Sequence, residues 1–207
     1  MKVTSTLKTH LVVDDFFNYD ELKLVWRELD YITSPDRMFP PTDPHSGSAV
    51  QNGKPLKQNM VAPLMQLFNS PQYSDIFNSF GKIYNGEFIQ IMDDMNNEFR
   101  YYSGSDHLNN RCFVSYYENE DYYKLHRDNA ILTFLYWVNK EPKRFVGGDL
   151  TLPEIGVDVE YKSNRLVVFP SHLLHSVSSI EMIGDNEPFS GYGRYCISYF
   201  LYLRERQ

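Results

Sequence analysis

The chain has 207 residues, 42% of them apolar, 23% charged and 15% aromatic. That length buries one good core and permits one domain or at most two, and the aromatic share favours strands and large side chains around a core or pocket. The net charge of −7 repels phosphate backbones and anionic bilayers, which disfavours generic nucleic-acid or membrane affinity while leaving a local basic groove open.

Residues 1–10 are polar and lack the apolar stretch of a signal peptide. No later apolar run approaches bilayer length. Cys112 and Cys196 are the two cysteines. They lie far apart in strand-like runs and read as buried free thiols, so a reducing cytoplasm is the expected location.

In chain order, residues 11–17 predict a strand running into a turn. Asn18 or Asp20 then caps a helix to about Leu29, with Leu22, Val25, Trp26 and Leu29 at helical spacing. Residues 31–59, rich in Pro, Gly, Ser, Asp and Asn, predict a long loop, either a lid over a binding site or a mobile surface segment. Two shorter helices are expected at 60–69 and about 72–84. A third is expected at 87–98, with Phe88, Ile91, Met92 and Met95 on one stripe. Residues 101–110 read as a polar turn.

From Arg111 the pattern changes to strands. They are expected at 112–117, 122–126, 130–138, 149–152, 157–161, 165–169, 174–180 and 195–203. The 130–138 run is apolar on both faces, as a central strand would be. Short strands at regular spacing with turn signals between them argue a sandwich or jelly roll. The expected fold is α+β and mainly β, as one domain over 1–207: helical support and loops at 1–110, the β core at 111–207.

One constellation carries chemistry. His126-Arg127-Asp128 is followed after 47 residues by His175, and then by Arg194. His126 and Asp128 are two apart, so on an extended strand they share a face. Two imidazoles and one carboxylate form the facial set that holds non-haem Fe(II) with open positions. Structural zinc wants four closed ligands, usually with thiolates. His172 competes with His175, but His175 opens a strand whereas His172 sits in the preceding turn. Arg194 opens the apolar run Tyr195-Cys196-Ile197-Ser198, and a guanidinium there calls for a carboxylate. Ser198 shares its parity. Tyr123 and Trp137 are candidates for lining the pocket or for plain core. Surface histidines and an ordinary salt bridge of Arg194 are the bland alternatives.

Residues 111–203 resemble the Fe(II)- and 2-oxoglutarate-dependent dioxygenases, most of all their prolyl 4-hydroxylase-like branch. Tyr117 and Tyr123 precede His126-x-Asp128 as in that branch. Thr133 to Asn139 resembles its central Tyr-Leu-Asn strand, and Gly147-Gly148-Asp149-Leu150 its Gly-Gly-x-Leu turn. Phe169-Pro170-Ser171 followed by His175-Ser176-Val177, and Arg194-Tyr195-Cys196-Ile197-Ser198, resemble its closing segments. Three departures stand out: a polar insertion at 181–193 that is expected at the active-site mouth, Glu120 where the family often has Gly, and Trp137 where a cosubstrate-contacting Tyr occurs.

The resemblance implies a double-stranded β-helix (jelly roll) with N-terminal supporting helices, and Fe(II) held by His126, Asp128 and His175. It implies 2-oxoglutarate as cosubstrate, held by Arg194 with Ser198, Tyr117 (or Tyr116) and Leu135, and ascorbate as a candidate reductant. The implied reaction takes O2 and a peptide or small-molecule prime substrate to an alcohol, succinate and CO2. The competing readings are a non-catalytic metal-binding jelly-roll module, a cupin-like metalloenzyme and a nucleic-acid demethylase. The last is disfavoured by Phe200, which stands where that branch carries a second Arg.

Overall fold

The computed structural model describes residues 1–5, 9–64, 70–95, 99, 108–184 and 187–203. The first half of the chain supplies strands β1 (Lys2–Ser5), β2 (Leu11–Asp14), β3 (Val50–Gln51), β4 (Lys54–Pro55) and β5 (Met60–Pro63). It also supplies helices α1 (Tyr19–Ile32), α2 (Asp75–Phe80) and α3 (Gly86–Asp93). Strands then follow one another: β6 (Leu108–Tyr117), β7 (Tyr123–His126), β8 (Leu132–Val138), β9 (Phe145–Gly147), β10 (Leu150–Leu152), β11 (Val157–Val159), β12 (Arg165–Pro170), β13 (His175–Val177), β14 (Ile180–Met182) and β15 (Arg194–Leu203).

A seven-stranded sheet runs in the order β1-β2-β12-β8-β15-β6-β5, and a four-stranded sheet in the order β11-β10-β13-β7. All their pairings are antiparallel. The two sheets form the sandwich of a double-stranded β-helix, and the helices cover the outer face of the larger one.

Period-2 alternation on the central strands builds both cores at once. On β8, Phe134, Tyr136 and Val138 face the helices, while Leu135 and Trp137 face the smaller sheet. β12 and β15 divide in the same way: Leu166, Val168, Tyr195, Ile197 and Tyr199 face out to the helices, and Val167, Phe169 and Cys196 face in. Every residue of β8 is buried, which is why its sequence lacks polar alternation.

α1 begins at a capping box: Asn18 accepts from the backbone of Asp20 and Glu21, and the Glu21 carboxylate accepts from Asn18 N at 2.8 Å. It buries Val25, Leu29 and Ile32, the last one turn beyond the expected end.

Several elements differ from expectation. Residues 60–63 are strand rather than helix, because Met60 to Pro63 pair with Tyr116 to Phe113 of β6; residues 65–69 lie outside the described set. The expected helix at 72–84 breaks into a 3-10 turn, α2 and a second 3-10 turn, because Ser74 caps a new start through Phe77 N. The helix expected over 87–98 is α3, ending at Asp93, and 96–98 are not described. Nor are 101–107, and the turn expected to run on to 110 gives way to β6 at Leu108.

The 31–59 segment is structured, with two 3-10 turns and the β3–β4 hairpin. It is tied to its neighbours by Gln58 N donating to Tyr122 O and Lys124 N to Leu56 O. The strand expected at 174–180 is two strands, β13 and β14, separated where Ser178 N turns to Asp149 O at 3.0 Å. Cys112 and Cys196 are buried free thiols. No helix among the described residues is long and apolar enough to cross a membrane.

Candidate metal centre

The smaller sheet presents the histidines. β7 and β13 pair so that His126 lies directly opposite His175, and their ring centroids stand 4.1 Å apart. Each ring is oriented by a backbone carbonyl: His126 Nδ1 lies 2.8 Å from Lys124 O and His175 Nδ1 lies 2.9 Å from Leu173 O. Donation from Nδ1 leaves both Nε2 atoms as lone-pair donors. They point at Asp128, at 3.5 Å from Oδ1 and 3.3 Å from Oδ2. One ligand atom from each residue falls within 4.8 Å of the others.

Asp128 is not on β7, which ends at His126. Its N–H donates to Ser171 O at 3.0 Å. Its Oδ2 accepts from the Thr133 hydroxyl at 2.7 Å, and that hydroxyl is shared with Ser171 Oγ at 2.8 Å. Burial pushes the carboxyl pKa up, but hydrogen bonds and charge from His126 and His175 outweigh it and hold the group well below the usual carboxylate range. Two imidazoles and a carboxylate therefore converge on one point in the arrangement that suits a ferrous ion with open positions. His172 is exposed, and it contributes only its carbonyl, which accepts from Arg127.

Arg194 is fully buried, yet none of its three guanidinium nitrogens has a hydrogen-bond partner. Its guanidinium carbon lies 4.9, 5.2 and 5.4 Å from the ring centres of Tyr117, Trp137 and Tyr161. Trp137 Nε1 is likewise buried and unpaired. A guanidinium in a ring of aromatics, with every donor unspent, fits the remote carboxylate of a dicarboxylic acid. Cys196 and Ser198 continue the face of Arg194 along β15. With Tyr117 and Leu135 they line the cavity that holds the triad, about 560 Å³ counting its mouth.

The remaining sequence candidates divide. Tyr123 lines that cavity and stacks on His126, with centroids 3.6 Å apart and planes at 10°. Tyr116 does not reach it. Being next to Tyr117 on β6 it faces the helices, and its hydroxyl accepts from Gly191 N and Gly193 N while donating to Glu118. The 181–193 insertion does not form the mouth, because its residues 189–193 pack behind β6, where Phe189 stacks on Tyr116 at 6.1 Å. Among its described residues none lines the cavity. The Thr133–Ser171 hydrogen bond to Asp128 is not marked in the sequence, although Thr133 shares parity with Leu135 and Trp137. Nor does any motif mark Tyr161 or Lys57.

Residues 112–202 match the profile of the 2OG-Fe(II) oxygenase superfamily, and that span contains the triad and the Arg194 cage. The fold is similar to a prolyl-4-hydroxylase from Pseudomonas putida (TM-score 0.60, 16% identity, 95% of this chain and 93% of that one). It is also similar to the viral collagen prolyl hydroxylase of Paramecium Bursaria Chlorella virus-1 in complex with 2OG (TM-score 0.56, 11% identity, 94% and 97%). A third similar structure is a 2OG-Fe(II) oxygenase-family oxidoreductase from Burkholderia pseudomallei (TM-score 0.59, 14% identity, 94% and 85%). No curated protein matches by sequence.

Fold and centre together define a jelly-roll enzyme of the facial-triad class. The matched core, residues 112–202, carries the triad and the Arg194 cage of a dioxygenase that works with Fe(II) and 2-oxoglutarate, and in fold the chain is similar to prolyl 4-hydroxylases.

Proposed function

We propose that this protein hydroxylates an unactivated C–H bond of a peptidyl proline or a free amino acid, converting 2-oxoglutarate and O2 to succinate and CO2 as it does so. The observation that carries the reading is the unpaired guanidinium of Arg194, which a non-catalytic metal-binding module has no use for. The prolyl hydroxylases among the similar folds support the substrate class.

His126, Asp128 and His175 would hold the ferrous ion, which with 2-oxoglutarate would supply the electrons that activate O2, the oxidant of the hydroxylation. The carbonyls of Lys124 and Leu173 keep each Nε2 aimed inward. Thr133 holds Asp128 Oδ2, so the carboxylate presents its other oxygen. Arg194 receives the remote carboxylate of 2-oxoglutarate, with Ser198, Tyr117 and Leu135 walling its path. Burial keeps the Tyr117 phenol protonated, Arg194 opposing, so its O–H remains a donor.

The test is an anaerobic titration of Fe(II) and 2-oxoglutarate that follows the visible charge-transfer band, then admission of O2 and a succinate assay. The Arg194→Ala variant loses a buried ion pair worth about 3–5 kcal/mol, so its cosubstrate affinity should fall at least about a hundredfold. Asp128→Ala should form no band. Wild-type affinity in the Arg194 variant would overturn the cosubstrate site. Tight metal binding with no band in the wild type would favour the binding-module reading.

A further inference from the structure

The segment before the jelly roll delivers one charged side chain to the metal centre. Lys57 lies between the β3–β4 hairpin and β5 and forms an antiparallel bridge with Tyr123 of β7. Hydrogen bonds on either side, Gln58 N to Tyr122 O at 3.1 Å and Lys124 N to Leu56 O at 2.8 Å, fix its backbone. The side chain is 6% exposed and lines the same cavity as His126, Asp128 and His175. Its ammonium donates to the Ser46 carbonyl at 2.7 Å and stands 5.5 Å from the centre of the Tyr123 ring, which itself stacks on His126. Among the described residues no carboxylate lies within ion-pairing distance of it, and Asp128 acts on it only at longer range.

A lysine buried this deeply is unfavourable unless an anion joins it. Charge balance indicates where that anion comes from. A ferrous ion and Arg194 are matched by Asp128 and the two carboxylates of 2-oxoglutarate, and Lys57 is the charge left over. Among the described residues, and apart from the histidines, Asp128 and Lys57 are the only side chains lining the cavity that are ordinarily ionised at neutral pH. One ammonium hydrogen is taken by Ser46 O, which leaves two donors for the two oxygens of a carboxylate. Burial pulls the ammonium pKa down to about 7, with Asp128 opposing, and an incoming anion would hold the proton in place.

Resting on the oxygenase reading above, we infer that Lys57 determines specificity by binding a carboxylate of the prime substrate inside the metal cavity. The substrate is then a free amino acid, and an internal residue of a peptide lacks the group Lys57 selects.

The experiment uses the anaerobic enzyme loaded with Fe(II) and 2-oxoglutarate. It is titrated with the common free L-amino acids, with their carboxamides and with a proline-containing peptide blocked at both ends. Binding is read as a shift of the charge-transfer band and as calorimetric heat, so turnover is not required. At least one free amino acid should bind, with its carboxamide on the order of a hundredfold weaker. Lys57→Met should abolish that preference while keeping the 2-oxoglutarate band, and Lys57→Arg should keep part of it.

The inference is overturned if no free amino acid binds, if the blocked peptide or the carboxamides bind as well as the acids, or if Lys57→Met retains the preference. Loss of the 2-oxoglutarate band in Lys57→Met would also overturn it, by assigning the residue to the cosubstrate. A wild-type enzyme that forms no band at all sinks the oxygenase reading and this inference with it, so the two failures are told apart.

Discussion

The space beside Arg194 is set by one atom that is missing. A Cβ on Gly148 would stand 2.6 Å from Arg194 Cδ, 2.9 Å from its Nε and 2.7 Å from Ile180 Cδ1, on a backbone at φ +81°. Gly147 is equally constrained, with Ser179 O in the space its Cβ would take, so the Gly-Gly pair legible in the sequence has a steric cause. Gly148→Ala should displace the guanidinium and raise the Kd for 2-oxoglutarate about tenfold or more. Fe(II) affinity should change little, because the triad lies on other strands, and anaerobic titration of each ligand separates the two effects. Glu120 shows the converse. It sits at φ +67° in the turn before β7, where the family often has Gly, and its N–H donates to Ile180 O at 2.7 Å. Glu120→Gly relieves the left-handed strain, partly offset by glycine's greater unfolded-state freedom, and should stabilise the fold by about 0.5–1 kcal/mol. Thermal unfolding should show a rise of roughly 1–4 °C; no rise would mean that the turn tolerates the side chain. At this scale the triad and Arg194 were legible because rare residue types in a fixed order carry their own signal. Lys57 was not, because a single lysine between Leu56 and Gln58 looks like any surface charge until the fold buries it.

Between elements, the anionic ligand depends on contacts that its own strand does not supply. Their spacing alone would set His126 and Asp128 on one face of one strand, but β7 stops at His126 and Asp128 is instead gripped by Thr133 of β8 and by Ser171 just beyond β12. β8 and β12 pair with Phe169 opposite Thr133, so the register of the larger sheet sets the position of the carboxylate proposed to hold the metal. Thr133→Val keeps the shape and removes the hydroxyl. It should lower Fe(II) affinity by about 10–100-fold, measured by anaerobic calorimetry, with unfolding monitored to confirm an intact fold. Unchanged affinity would mean that the backbone bond from Asp128 N to Ser171 O suffices. The strands that carry the centre were readable from alternation, since their two faces bury different cores. β5 was not: Met60 to Leu64 has an apolar spacing that suits either period, and its pairing with β6 is a long-range fact. The 31–59 segment was misjudged for a related reason. Pro, Gly and Asn mark turns correctly but do not show that the turns are pinned to β7.

Across the whole molecule, the chain's beginning closes its core. The jelly roll was foreseeable from eight evenly spaced strand signals, and the strand at 11–17 was expected, but the sheet order was not, because β1 and β2 extend the larger sheet from the half of the chain read as support and loops. The seam is the pairing of β2 with β12, where Asp14 lies opposite Arg165. Arg165 Nε and Nη2 donate to the Asp14 carboxylate at 2.6 and 3.1 Å, and Lys162 donates at 2.8 Å. The Arg165 hydrogen bond, helped by Lys162 and opposed by burial, lowers the Asp14 pKa to about 2. A folded-state pKa below the unfolded one means that the unfolded chain takes up protons first as pH falls. The stabilisation is therefore complete above the unfolded value of 3.8 and is lost as pH drops through about 2. Asp14→Asn should cost about 2 kcal/mol at neutral pH. It should also remove part of the acid sensitivity, so that urea-denaturation curves of wild type and variant, both metal-free, converge toward pH 2. Asp128 titrates in both proteins and cancels in the difference. A constant gap between the curves at every pH would assign the loss to packing at the seam instead of to the ion pair.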